Sequence, residues 1–137
     1  MNKAEILAFM QAASTCYVAT VEGNEPRVRA IMIYKVTKDE IIIQTNVNKD
    51  FTRQMKQNPN VEILFHDPKQ DMMQVRVRGK VEQVTDPAAL AKAMEDRPFL
   101  KAAAEQGNGP ALYRVKNPQA YVWTIQTNND PKTFVKL

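Results

Sequence analysis

Residues 15–36 read Thr15-Cys16-Tyr17-Val18-Ala19-Thr20-Val21, then Glu22-Gly23-Asn24-Glu25, then Pro26-Arg27-Val28-Arg29-Ala30-Ile31-Met32-Ile33-Tyr34-Lys35-Val36. The two outer runs are rich in β-branched and aromatic residues, and the segment between them is turn chemistry, so the stretch predicts two antiparallel strands. Along the second strand Val28, Ala30, Met32, Tyr34 and Val36 share one face, while Arg27, Arg29, Ile31, Ile33 and Lys35 share the other. The second face is charged at both ends and apolar in the middle. A strand that is apolar on both sides at its centre needs a cover, either a helix or a second subunit. Lys38-Asp39 then turns the chain into a third strand, Glu40 to Thr45, which predicts a three-stranded meander.

The flanking sequence extends the pattern. Asn2 to Ala13 predicts a helix capped by Asn2, with Glu5 at the capping-box position and Ile6, Phe9, Met10 and Ala13 on one stripe. Asn48 to Asn58 is polar except for Phe51 and Met55, which suits a short surface helix stopped by Pro59. Val61 to Phe65 is a fourth strand, His66-Asp67-Pro68-Lys69 a turn, and Met72 to Val84 a fifth strand. In the fifth strand Val75, Val77, Gly79 and Val81 alternate with Gln74, Arg76, Arg78, Lys80 and Glu82, and Gly79 suggests a bulge or barrel corner. Asp86-Pro87 opens a helix to about Met94, a second runs from Phe99 to Gln106, and Leu112 to Lys116 and Ala120 to Thr127 are the last strands. The expected fold is mainly β with helices: one domain over residues 1–137, a six- to seven-stranded antiparallel barrel with helices packed outside.

Composition limits the chemistry. One serine (Ser14), one cysteine (Cys16) and one histidine (His66) leave almost no material for a nucleophilic triad, and no zinc-ligand spacing exists. Ser14, at a helix-strand junction, and Cys16, within a strand, read as capping and packing, and His66 as a surface residue. The four glycines stand at 23, 79, 107 and 109, where they write no phosphate-binding glycine loop. The N-terminus lacks a signal-peptide core, and residues 6–21 are too polar to span a bilayer, so a cytoplasmic protein without membrane association is expected. The net charge of +4 suits an anionic ligand as well as nucleic acid and decides neither. If a protein so short of reactive side chains does chemistry, it borrows the reactive group.

Four polar features stand out. Arg27 and Arg29 lie on one strand face. Thr45 ends a strand and Lys49 opens a helix, where backbone N–H groups and an amine can meet a phosphate, although Asp50 lowers the potential there. Gln74, Arg76 and Arg78 form a polar row. Tyr121 and Trp123 share a face near Tyr113 and read as core, interface or a stacking platform. Taken singly, each is as well explained by a solvated or packed surface.

In order, however, Pro26-x-x-Arg29, a strand ending at Thr45, Lys49 opening a helix to Asn58-Pro59-x-Val61, and Gln74-Val75-Arg76-Val77-x-Gly79-x-Val81 resemble the pyridoxamine 5′-phosphate oxidase-like family of FMN-binding split barrels. The resemblance is close over Thr15 to Val84 and looser elsewhere. It implies a homodimer with FMN at the subunit interface, Arg29 and Lys49 on the phosphate, Gln44 and Thr45 along the cofactor, Ala30, Ile31 and Met32 beside the flavin, and Gln74 hydrogen-bonded to it. The family's vitamin-binding lysine, tyrosine and serine positions read Tyr34, Ala93 and Lys101 here; Arg97-Pro98 is kept, and no histidine follows His66. The implied activity is therefore FMN-dependent oxidoreduction of a small-molecule donor and acceptor other than vitamin B6 oxidation. A non-catalytic holder of flavin, deazaflavin or haem is the alternative. An oligonucleotide-binding barrel ranks lower, because no aromatic interleaves Arg76, Arg78 and Lys80 on their strand, so no nucleic-acid partner is expected.

Overall fold

The computed structural model describes residues 1–13 and 15–137; Ser14 and its expected junction role lie outside the described residues. Helix α1 (Lys3–Ala12) starts with the anticipated capping box, the Asn2 side chain accepting from the Glu5 N–H at 2.9 Å and the Glu5 carboxylate accepting from the Asn2 N–H at 2.7 Å. Its apolar stripe of Ile6, Leu7, Phe9 and Met10 is buried against the sheet. Strands β1 (Cys16–Glu22) and β2 (Glu25–Ile31) form the predicted hairpin, with Gly23 at a φ of 62° in the turn, a conformation glycine adopts without strain.

The second predicted strand does not run on to Val36. It breaks at Met32–Tyr34 and resumes as the two-residue β3 (Lys35–Val36), which pairs with β4 (Ile41–Asn46). After α2 (Asp50–Gln57) come β5 (Asn60–His66), β6 (Gln74–Val84), α3 (Pro87–Asp96), α4 (Pro98–Glu105), β7 (Pro110–Trp123) and β8 (Phe134–Lys136). The two final strands expected from the sequence are one long strand, bent at Asn117 (φ 48°), and β8 is an eighth strand unread in the sequence.

All eight strands form one antiparallel sheet in the order β2-β1-β5-β6-β7-β4-β3, with β8 on β7. The expected meander is thus split, because β2 and β4 lie toward opposite ends of the sheet and do not pair. Yet β2 and β3, the outermost strands, are joined by only Met32–Tyr34. Four peptide steps reach at most about 14 Å, so the sheet must curl until its two ends nearly meet. The result is an incompletely closed barrel whose seam carries the β2–β3 link.

The barrel interior holds Val18, Ile41, Ile43, Ile63, Phe65, Val75, Val77 and Val115, closed off by the α1 stripe. A second, smaller cluster of Ile42, Val84, Ala93, Leu100 and Leu112 fixes α3 and α4 on the outside of β7 and the adjoining β4. This accounts for β4 being buried on both faces. His66 ends β5 opposite Gln74 and is half-buried, not a surface turn residue. Tyr113 points into the core, whereas Tyr121 lies under Phe134 of β8 at a 6.0 Å ring separation, so the three C-terminal aromatics form no common platform.

Gly79 sits where the β6–β7 register shifts, as the sequence suggested. A Cβ there would lie 2.7 Å from Val115 Cγ1 and 2.8 Å from the Lys116 carbonyl oxygen. Gly79→Ala is expected to lower unfolding stability by about 1–2 kcal/mol through this overlap. A urea midpoint equal to that of the wild type would refute the tight bulge.

Candidate functional site

The seam is also a cleft. A cavity of about 420 Å³ opens between β2 and β4, bounded by Arg29, Ala30, Ile31 and Met32 on one side, Gln44, Thr45 and Asn46 on the other, and the start of α2 at one end. Arg97 and Phe99, from the α3–α4 corner, close the opposite end. Seven of the eight residues singled out in the sequence line this one cavity; Gln74 does not, lying on the outer face of β6, where it accepts hydrogen bonds from Arg76 at 2.8 and 3.1 Å.

Arg29 is the best-fixed of these groups. Its Nη1 donates to the Val18 carbonyl at 3.2 Å and to Thr20 Oγ1 at 2.7 Å, its Nη2 donates to Gln54 Oε1, and its guanidinium lies 4.4 Å from the centre of the Phe51 ring. Burial lowers its pKa from the ordinary arginine value, with the charge of Asp50 opposing the shift. Every hydrogen-bond partner is neutral, and among the described residues no carboxylate is in contact with the guanidinium. A partly desolvated cation held only by neutral acceptors is under-compensated and attracts an anion.

The acids that might have neutralised it are held elsewhere. Asp50 accepts from Arg53 Nη1 at 2.6 Å, and Glu22 accepts from Arg53 Nη2 at 2.8 Å. The Glu22 carboxyl is pulled below the usual range first by the hydrogen bond from Arg53 and then by that from Gln54. The concern that Asp50 spoils the site for an anion is thereby reduced. Lys49 stands exposed at the N-cap of α2, where no side-chain cap hydrogen bond is made, and it lines the same cavity as Arg29 together with Asp50 and Phe51 of the first turn.

Thr20 and Gln54 were not read as site residues. Both left a trace in the sequence, since Thr20 interrupts the inward row Cys16, Val18, Thr20 and Gln54 falls on the α2 stripe with Phe51 and Met55. Both are buried, and the Thr20 hydroxyl donates to Gln54 Oε1 at 2.6 Å.

At the other end Arg97 turns inward. Its Nη1 donates to Gln44 Oε1 at 2.7 Å and the Met32 carbonyl at 3.2 Å, and its Nη2 donates to the Ile33 carbonyl at 2.8 Å. Tyr34 lies beneath it at 5.3 Å and donates its hydroxyl to Asp96 at 2.7 Å. Burial first, then that hydrogen bond, pushes the Tyr34 phenol up to about 12. Ala93, at the family's tyrosine position, is buried in the small core, and Lys101 is exposed.

Among the described residues, none suited to side-chain catalysis is gathered here. Cys16 is buried inside the barrel, and burial pushes its thiol up to about 12, so it holds no thiolate near neutral pH. Among the described residues no three of His, Cys, Asp and Glu cluster as metal ligands, and no helix is long and apolar enough to cross a membrane.

Comparison with known proteins agrees with this fold. Over 89 residues the chain is 27% identical to a pyridoxine/pyridoxamine 5′-phosphate oxidase of Pelagibacter ubique (strain HTCC1062), a match covering 65% of this chain and 42% of that protein. A NimC/NimA family protein of Clostridium acetobutylicum superposes with a TM-score of 0.77 at 24% identity, covering 98% of this chain and 91% of that one. A pyridoxamine 5′-phosphate oxidase-related, FMN-binding protein of Nostoc punctiforme does so with a TM-score of 0.63 at 17% identity, covering 98% and 93%. At these identities the two structures establish the split-barrel fold. The family model for pyridoxamine 5′-phosphate oxidase matches residues 3–124. A match over that much of the sequence, on the fold just described, means that the chain belongs to the pyridoxamine 5′-phosphate oxidase family.

Proposed function

We propose that the protein is an FMN-dependent oxidoreductase acting on a small-molecule donor and acceptor, with FMN seated in the seam cleft. The observation that carries this reading is the Arg29 guanidinium, oriented by Val18, Thr20 and Gln54 and left without a carboxylate beside Lys49 and the open start of α2. These groups match a phosphate dianion in charge and geometry. Ala30, Ile31 and Met32 line the β2 wall, and Gln44 and Thr45 the β4 wall, so a flat ring attached to that phosphate would lie between them. When bound, FMN supplies the electron-transfer chemistry. The chain's part is to bind and orient it, which accords with a cleft lined, among the described residues, by no cysteine, serine or histidine.

Vitamin B6 oxidation is not the reaction we propose. The donors of Arg97 are engaged with the chain itself, and the neighbouring positions Ala93 and Lys101 offer no hydroxyl. We also propose a homodimer with Gln74 of one copy approaching the cleft of the other. In support, β2 exposes Val28 at 70% of its surface and the link that follows exposes Met32 at 55%, apolar area at the cleft edge that a second copy would cover.

The test is direct. Purified protein mixed with FMN and desalted should show a flavin visible spectrum, and light scattering should give twice the 15.6 kDa chain mass. A protein that stays colourless sinks the flavin assignment; a monomeric mass removes the role proposed for Gln74.

A further inference from the structure

We infer that Gln54 keeps Arg29 available to an anion, acting as a neutral spacer between that guanidinium and Glu22. This inference rests on the proposed phosphate site and gives a specific role to a residue outside the cleft's lining. The side chain's orientation is fixed by its neighbours. Oε1 accepts from both Thr20 Oγ1 and Arg29 Nη2, and Nε2 donates to Glu22 Oε2 at 3.0 Å. A flipped amide would set N–H groups against a guanidinium and oxygen against a carboxylate.

The charges around it follow the same logic. Arg53, next in the chain, collects Asp50 and Glu22, with Arg27 also 3.6 Å from Glu22. Gln54 shares Glu22 with Arg53 through its Nε2 but turns its Oε1 to Arg29, and it is 3% exposed. Successive residues of α2 therefore sort the local charges: Arg53 binds the acids on the outside, and Gln54 offers the inner cation a strong acceptor without charge. A carboxylate at position 54 would pair with Arg29 and compete with any bound phosphate. Gln54 is thus a positioning residue that favours a phosphorylated ligand over its unphosphorylated counterpart.

The decisive variant moves the carboxylate without changing net charge. In the double exchange Glu22→Gln with Gln54→Glu the hydrogen bond between the two positions can persist, while the acid shifts from Arg53 to Arg29. Flavin fluorescence titrations should show FMN bound about 30-fold more weakly than by the wild type, a loss typical of one charge-assisted contact. Riboflavin, which lacks the phosphate, should bind within about threefold of wild type. Glu22→Gln alone should leave FMN affinity within about threefold, and the thermal midpoint of the double variant without ligand checks its folding.

A second arm does not depend on flavin. Inorganic phosphate, compared with sodium chloride at equal ionic strength, should raise the thermal midpoint of the wild type and not that of the exchange variant. If the wild type takes up no FMN but still responds to phosphate, the flavin reading falls and the role of Gln54 stands. Equal behaviour of the two proteins toward FMN and phosphate, including no response from either, overturns it. Parallel loss of FMN and riboflavin by the exchange variant also overturns it, since that would mark a merely structural residue.

Discussion

Arg29→Ala should weaken FMN binding roughly 10- to 150-fold, corresponding to the loss of one charge-assisted interaction of about 1.5–3 kcal/mol. The magnitude follows from how the guanidinium is held. Its rotamer is set by Val18, Thr20 and Gln54 and braced by Phe51, so little side-chain freedom remains to be lost when a phosphate arrives. Fold integrity should survive the substitution, because the Thr20 hydroxyl still satisfies Gln54 Oε1. Lys49→Ala should weaken FMN less, about three- to tenfold, since that amine is exposed and screened. Flavin fluorescence titration with FMN and riboflavin separates the outcomes. Wild-type FMN affinity in Arg29→Ala would place the phosphate elsewhere, whereas a loss shared with riboflavin would mean that the arginine supports the cleft wall, not the phosphate.

How much of this was legible in the sequence depends on the range of the interaction involved. Local signals read well. The capping box at Asn2 and Glu5, the Glu22–Glu25 turn, the bulge at Gly79 and the Asp86-Pro87 helix start are each set by residues a few positions apart, and all appear in the structure. The long strand from Pro26 to Val36 misled because its alternation continues unbroken through Met32–Tyr34. What ends β2 there is a tertiary grip: Arg97, more than sixty positions away in sequence, binds the carbonyls of Met32 and Ile33, and the Tyr34 N–H donates to the Ile42 carbonyl at 3.2 Å. Strand β8 has no periodicity of its own and exists through its pairing with β7, so the stacking of Arg78 over Phe134 at 3.7 Å could not be foreseen.

The candidate site divides in the same way. Arg29, Thr45 and Lys49 were visible because their order along the chain carried meaning beside strand and helix ends. The network behind Arg29 was not, since hydrogen bonds from Thr20 to Gln54 and from Gln54 to Glu22 span more than thirty positions. A polar residue interrupting an apolar row marks such a network in sequence, but its partner cannot be named until the fold brings the two together.

Arg97→Ala is expected to cost about 2–3 kcal/mol of unfolding stability and to lower the melting midpoint by roughly 6–12 °C for a chain of this size. Three acceptors lose one guanidinium, but they do not lose equally. The Met32 carbonyl stands by an exposed residue and can turn to water, whereas Gln44 is only 8% exposed, so its Oε1 would remain under-satisfied. Arg97→Lys should recover little, because an ammonium cannot span Met32, Ile33 and Gln44 with the fork geometry. The seam held by Arg97 is also a wall of the cleft, so FMN affinity should fall in both variants through loss of preorganisation. The measurement that discriminates is thermal melting of the ligand-free protein. Were Arg97 an exposed ligand-binding cation with its donors free, removing it would leave the apo midpoint almost unchanged and reduce ligand affinity alone. A drop in the apo midpoint, retained in the lysine variant, identifies the guanidinium as the tie that stops β2, turns the chain into β3 and holds the split of the barrel at a fixed width.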